Sequence, residues 1–150
     1  MVQDSFIVKC DRCGAKNRIP KSRAKEKAVC GKCHAPLHFT VEYPERSVVV
    51  DERTFGAEIL GFPGTVLALF WAPWCGHCMR LMPLIDELAL EYRGSVKFIK
   101  IDMDRSPNLA SQYQVMSVPT MLVFKNGELV NRMVGALPKH QISQQLHPFL

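Results

Sequence analysis

An uninterrupted apolar run, Thr65–Ala72 (TVLALFWA), stops just short of a cysteine pair, Cys75 and Cys78, that opens a segment of helical periodicity. An apolar run of this length with no polar alternation predicts a strand buried on both faces, as in sheets covered by helices. The next segment predicts a helix over about Cys75–Tyr92: Met79, Leu81, Met82, Ile85, Leu88 and Ala89 recur at threes and fours, and Pro83 should kink it. A buried strand running straight into a helix is the unit of an α/β fold, and the rest of the chain reads as its complement. SVVVD (Ser47–Asp51) and VKFIKID (Val96–Asp102) predict strands, ERTFGAEIL a helix capped by Asp51, and PNLASQY a short helix. TMLVFKNGELVNRMVG predicts two strands joined by an Asn126-Gly127 turn, and PKHQISQQLHPF a closing helix entered at Pro138. The order β-α-β-α-β-α-β-β-α predicts a central mixed sheet with helices on both faces.

The first 40 residues are different. Two further pairs, Cys10/Cys13 and Cys30/Cys33, stand in the knuckles CDRCG and CGKCH among few apolar side chains. The spacing C-x2-C-x16-C-x2-C offers four thiolates to a tetrahedral metal with no open position, as in structural zinc sites. Gly14 suits the sharp turn behind the second sulfur. A segment this poor in apolar residues needs the metal for folding energy, so one Zn²⁺ held by Cys10, Cys13, Cys30 and Cys33 is expected. Two disulfides, four unpaired thiols, or a second redox dithiol (disfavoured because neither pair follows a buried strand) are the alternatives; His34 is read as a bystander. Lys16–Ala28 (KNRIPKSRAKEKA) reads as an exposed basic loop, and the domains are read as a four-cysteine module over 1–40, a linker over 41–47 and a larger domain over 48–150.

Charge follows the same division. Residues 1–46 hold ten Lys/Arg and five Asp/Glu, a balance of +5, while residues 47–150 hold nine of each. The basic excess falls on a segment without interleaved aromatic residues, which disfavours nucleic acid as its partner. The N-terminal stretch lacks the basic and apolar regions of a secretory signal, and the longest apolar run is too short to cross a bilayer. The expectation is a cytoplasmic, monomeric protein without a membrane partner, in a compartment where six cysteines mean metal binding or redox chemistry rather than a disulfide scaffold.

Spacing does not separate the third pair from the other two; position does. Cys75 falls at a helix N-terminus, where free N–H groups and the dipole favour the thiolate, and Cys78 one turn deeper is placed to attack a mixed disulfide on Cys75. A metal at this pair would need two more ligands, and a purely structural disulfide is the remaining alternative. FWAPWCGHC, followed by MRLMPLIDELA and by VKFIKIDMDRSPNLASQYQVMSVPTMLVFKNGELVNRMVGALPK, resembles the thioredoxin family over residues 47–150. The four-cysteine segment resembles that of the zinc-containing branch, so the likeness covers the chain. The resemblance implies a thioredoxin fold with a small zinc-ribbon-like module and protein-disulfide reduction by Cys75 and Cys78. It further implies recycling by thioredoxin reductase, a flavoenzyme drawing on NADPH. Trp74 then flanks the dithiol, Val118-Pro119-Thr120 forms a cis-proline loop against it, and Gly135 lies beside the substrate groove.

Two departures from the family pattern carry expectations. His77 stands where proline is usual, giving the CGHC of protein disulfide isomerases; a bond or charge from its imidazole would stabilise the Cys75 thiolate and make the pair more oxidising. Leu69 replaces the buried aspartate six residues before Cys75, and counting back from Ile101-Asp102 puts Phe98 in the place of its lysine. The ion pair is thus expected to be lost, with His77 as the substitute base. Three other readings follow: an isomerase-like oxidant, a zinc-ribbon binding protein on a thioredoxin scaffold, and a zinc module that senses oxidation.

Overall fold

A computed structural model describes residues 5–20, 23, 26–38 and 43–150. Among them, the strand Thr65–Trp71 (β4) is central, and all of it up to Phe70 is buried. It pairs in parallel with Val96–Asp102 (β5) and antiparallel with Thr120–Lys125 (β6). Val48–Val49 (β3) extends the sheet beyond β5, and Glu128–Val134 (β7) beyond β6, giving the order β3-β5-β4-β6-β7. Asn126 (φ 52°) and Gly127 (φ 84°) make the turn between β6 and β7, both in the left-handed conformation that an Asn-Gly hairpin requires.

Alternation along the strands divides the core into two layers. Val66, Ala68, Phe70, Ile99, Ile101, Leu122 and Phe124 face one side, under Phe55, Ile59 and the helix Pro107–Gln112 (α2). Leu67, Leu69, Val96, Phe98, Met121 and Val123 face the other, against Leu81, Ile85, Leu88 and Ala89 of Gly76–Glu91 (α1) and Ile142 and Leu146 of Lys139–Leu146 (α3). The mixed sheet with helices on both faces is as expected.

Two local expectations change. After β3 the Asp51 carboxylate accepts from the N–H groups of Arg53 (2.9 Å) and Thr54 (3.0 Å), so the cap is real. The turns it starts pass into a π-helical segment, Gly56–Leu60, closed by a Gly61 N–H to Gly56 O bond of 2.7 Å. The loop expected over Lys16–Ala28 instead begins as a strand: Lys16–Pro20 (β2) pairs antiparallel with Ser5–Lys9 (β1). A single buried apolar side chain, Ile19, suffices, because Pro20 is the last residue of the strand, where proline is tolerated. Residues 21, 22, 24 and 25 of that basic stretch, and 41 and 42 of the expected linker, lie outside the described residues.

The register corrects the expectation for Phe98. Leu67 pairs with Phe98, whereas Leu69 pairs with Lys100. Phe98 and Lys100 lie two residues apart on one face of β5, so a count made along the sequence slipped by one strand repeat. The lysine is therefore present beside Leu69. With leucine as its neighbour, its ammonium reaches Asp86 of α1 at 2.9 Å, and Asp86 also accepts the backbone N–H and hydroxyl of Ser47. Partial burial pushes the Asp86 pKa up, but the Ser47 hydroxyl and the Lys100 ammonium outweigh it and the net shift is downward. A lowered carboxylate pKa stabilises the fold above the unfolded value of about 3.9, and this contribution is lost as pH falls through the lowered value. The Asp86 side chain is 44% exposed, which screens the pair. Asp86→Asn is expected to cost about 1 kcal/mol at pH 7, the upper end for exposed pairs, since Lys100 is buried and only Asp86 is screened, and the gap to wild type should begin to narrow as pH falls below about 4. Denaturant melts followed by the fluorescence of Trp71 and Trp74, both in the larger unit, measure it.

Candidate active site and metal centre

The covered strand β4 ends at Trp71, and Ala72 is fully buried with the two cysteines that follow it. A bond from the Cys75 N–H to Ala72 O (3.1 Å) turns the chain. Cys75, with extended backbone angles (φ −91°, ψ 107°), becomes the N-cap of α1. Its Sγ takes the part that a serine or aspartate oxygen usually plays, accepting the Cys78 N–H at 3.1 Å. A disulfide joins Cys75 to Cys78; Cys75 keeps 6% exposure and Cys78 none. Only the first sulfur is open to a partner.

The Val118–Pro119 peptide bond is cis and stands against this cap, with Val118 O 3.7 Å from Cys75 Sγ. Gly135 (φ 95°) donates its N–H to Pro119 O at 2.9 Å. Space would admit a Cβ there, so the left-handed backbone is what calls for glycine. Trp74 is 69% exposed, and its indole N–H donates to Asp104 Oδ2 at 3.1 Å. The loop holding Asp104 is itself tied back by the Met103 N–H to Trp71 O bond (2.8 Å). Asp104 went unread in the sequence because nothing local marks it; it lies 30 positions from the ring that it holds. His77 sits between the cysteines but bonds neither sulfur. Its side chain lines a cavity of about 260 Å³ with Arg80, Leu81, Leu84, Ala136 and Leu137. The thiolate contact expected of the imidazole is absent from this disulfide form.

At the other end of the chain the two knuckles are built alike. Gly14 N–H bonds Cys10 O (2.9 Å) and Cys10 N–H bonds Ala15 O (2.8 Å); His34 N–H bonds Cys30 O (2.9 Å) and Cys30 N–H bonds Ala35 O (2.8 Å). Gly14 has φ 75° and His34 φ 60°, so His34 is the counterpart of Gly14 in the backbone. Among the described residues the metal-ligand group contains cysteines alone, and the four sulfurs lie within 4.8 Å of one another. Cys10 and Cys33 Sγ stand 3.7 Å apart, and Cys13 and Cys30 Sγ 3.6 Å. A tetrahedron with metal–sulfur bonds of about 2.3 Å has edges of about 3.8 Å, so the set fits one metal ion. The thiols are unequal on their own. Backbone N–H groups of Cys33 and Lys32, with the Asn17 amide, bring Cys30 down to about 6. The Ala15 N–H favours the Cys13 thiolate, yet burial and the neighbouring sulfurs push that thiol up to about 11. Four thiolates together need a cation.

Asn17, another residue the sequence did not mark, joins the knuckles. Its Oδ1 accepts the Gly31 N–H (3.0 Å), and its Nδ2 donates to Ala15 O (3.2 Å) and reaches Cys30 Sγ (3.6 Å). Asn17→Ala is expected to weaken metal binding at least tenfold, the usual loss when a partner of a ligand is removed, as measured by chelator competition.

A buried strand leading into a helix capped by a cysteine pair of which only the first keeps any exposure, with a cis-proline loop facing it, defines a dithiol–disulfide exchange protein. The four-thiolate module sets it apart within that class. The family profile described as Thioredoxin matches residues 46–148, and one described as Thioredoxin 2, N-terminal, matches residues 9–35. Thioredoxin 1 of a Nostoc species is 45% identical over 67% of this chain and 94% of its own length. A chloroplastic M-type thioredoxin of Pisum sativum is 38% identical over 97% of this chain and 88% of its own, and a thioredoxin 2 of Chlorobaculum tepidum 48% identical over 63% and 87%. The chain belongs to the thioredoxin family and is a thiol–disulfide oxidoreductase. Among the described residues no helix is long and apolar enough to cross a membrane.

Proposed function

We propose that the chain reduces disulfides in other proteins, with Cys75 as nucleophile and Cys78 as resolving thiol. The observation that carries this reading is the cap: Cys75 Sγ already accepts the Cys78 N–H at the mouth of α1, beside the cis-Pro119 loop. That bond and the helix N-terminus favour a thiolate at Cys75. The thiolate attacks one substrate sulfur, forming a mixed disulfide and releasing the other as a thiolate that takes up a proton. Cys78 then gives up its proton and attacks Cys75 Sγ, which frees the second substrate thiol. Substrate gains two electrons, and the protein leaves with the Cys75–Cys78 disulfide. Trp74, held by Asp104, and Pro119 flank the exposed sulfur and align the incoming chain. Thioredoxin reductase is read as the recycling partner.

The module over residues 1–40, joined through 41–47 to the domain over 48–150, is read as structural. Cys10, Cys13, Cys30 and Cys33 would hold one Zn²⁺, whose part is to neutralise four thiolates and hold two knuckles together. Six cysteines, four of them outside any disulfide, suit a reducing compartment and a monomer acting in the cytoplasm.

One observation favours a more oxidising character. His77 occupies the turn between the cysteines, where a positive charge acts on the Cys75 thiolate without a direct bond. The potential is expected between those of thioredoxin and protein disulfide isomerase, about −270 and −180 mV, and His77→Pro should lower it. Equilibration with glutathione measures both, and a wild-type value at or below −270 mV would remove the histidine from this role. Cys75→Ser should abolish protein-disulfide reduction while the fold is retained, and Cys78→Ser should accumulate mixed disulfide. Insulin reduction and mass spectrometry read these outcomes; a Cys75→Ser protein that still reduces insulin would overturn the assignment.

A further inference from the structure

The cavity beside the dithiol has a construction of its own. Leu81 and Leu84 of α1 and Ala136 and Leu137 of the loop after β7 give it an apolar floor, and His77 and Arg80 give it a polar rim. His77, Arg80 and Leu84 follow at threes and fours along α1, so the cavity runs along the helix from its mouth between the two cysteines. The loop forming its other wall is fixed at both ends. Gly135 is tied to Pro119 O, and Lys139 Nζ bonds Glu87 Oε1 at 2.8 Å and also Glu91, both on α1. The carboxylates farther along this side of α1 are thus engaged by Lys139. Arg80 is exposed and has no carboxylate partner among the described residues.

We infer that this groove is a specificity subsite for a segment of the substrate protein carrying a carboxylate next to an aliphatic side chain, within a few residues of its disulfide. This inference rests on the disulfide-reduction reading above. The groove opens at His77, so a chain joined through sulfur to Cys75 brings its flanking residues to it. A volume of about 260 Å³ falls under the 300–1,000 Å³ typical of whole small-molecule sites and suits one or two side chains. The charge complement selects the occupant. An acidic residue pairs with Arg80 while its neighbour covers Leu84 and Leu137; a basic residue meets like charge and is rejected.

Synthetic peptides with one disulfide test this, each with Glu, Gln or Lys beside a leucine, at each of three positions on either side of the cystine. The pre-reduced full chain is mixed with each, and the second-order rate constant is measured. At the position that reaches the groove, the Glu peptide is expected to react about fivefold faster than the Gln peptide, equivalent to about 1 kcal/mol. The Lys peptide should be slower still, and high salt should shrink the preference. Arg80→Glu should reverse the order, the ratio between peptides serving as its own control for loss of fold. Equal rates for Glu and Gln peptides at every position, or a preference that Arg80→Glu leaves intact, would overturn the subsite. Hydroxyethyl disulfide, uncharged and without flanking residues, separates the two readings. If wild type reduces it while the peptides react alike, only the subsite falls; if wild type fails to reduce it, the reductase reading falls and takes the subsite with it.

Discussion

The burial of β4 on both faces is the constraint on which the larger unit depends. A strand paired on each edge and covered above and below has little freedom to shift, because a slip of one residue would send each side chain into the opposite layer. Its C-terminal end is consequently a fixed point. Cys75 lies only a short, hydrogen-bonded turn beyond that point, so the position of its sulfur is inherited from the core rather than from the flexibility of a loop. The same end anchors Met103, and through the Asp104 loop the indole of Trp74. Pieces distant in sequence are therefore referred to one strand.

The N-terminal module solves the opposite problem. Among the described residues its apolar core is small: Val8, Ile19, Ala35 and Leu37, with Cys10 and Cys30, are its buried apolar members. Hydrophobic burial on that scale stabilises little. Order comes instead from two hydrogen-bonded knuckles and the Asn17 amide between them, which converge the sulfurs to within reach of one ion. Dithiol pairs with the same spacing thus serve different ends. In the knuckles each sulfur is directed at the other pair, whereas at α1 the two sulfurs are directed at each other.

Much of this was legible in the sequence. The long apolar run, the helical spacing after it and the Asn-Gly turn each report a local preference that the tertiary structure does not override, and the corresponding elements stand where they were expected. The cysteines that cluster in the N-terminal knuckles and the pair at the mouth of α1 were told apart by their flanks. What escaped reading was non-local or marginal. Asp104 and Asn17 act on partners far along the chain, through single hydrogen bonds that leave no periodic trace. The strand Lys16–Pro20 was hidden by its polarity and its proline, since one inward side chain and pairing with Ser5–Lys9 were enough to make it. The place of Lys100 depended on register, which is a property of two strands and not of either alone.

The turn of Lys100 toward Asp86 has a further consequence. With leucine at position 69, the buried Lys100 has no carboxylate beside it on β4, and its ammonium turns to the half-exposed Asp86 of α1 instead. The strand that leads to the dithiol therefore offers no acid or base of its own at position 69. Proton uptake at the sulfurs is left to the backbone N–H groups of the cap and to side chains around the mouth of α1. Side chains at that mouth are exposed, so an exchange such as His77→Pro alters the surroundings of the sulfurs without repacking the core.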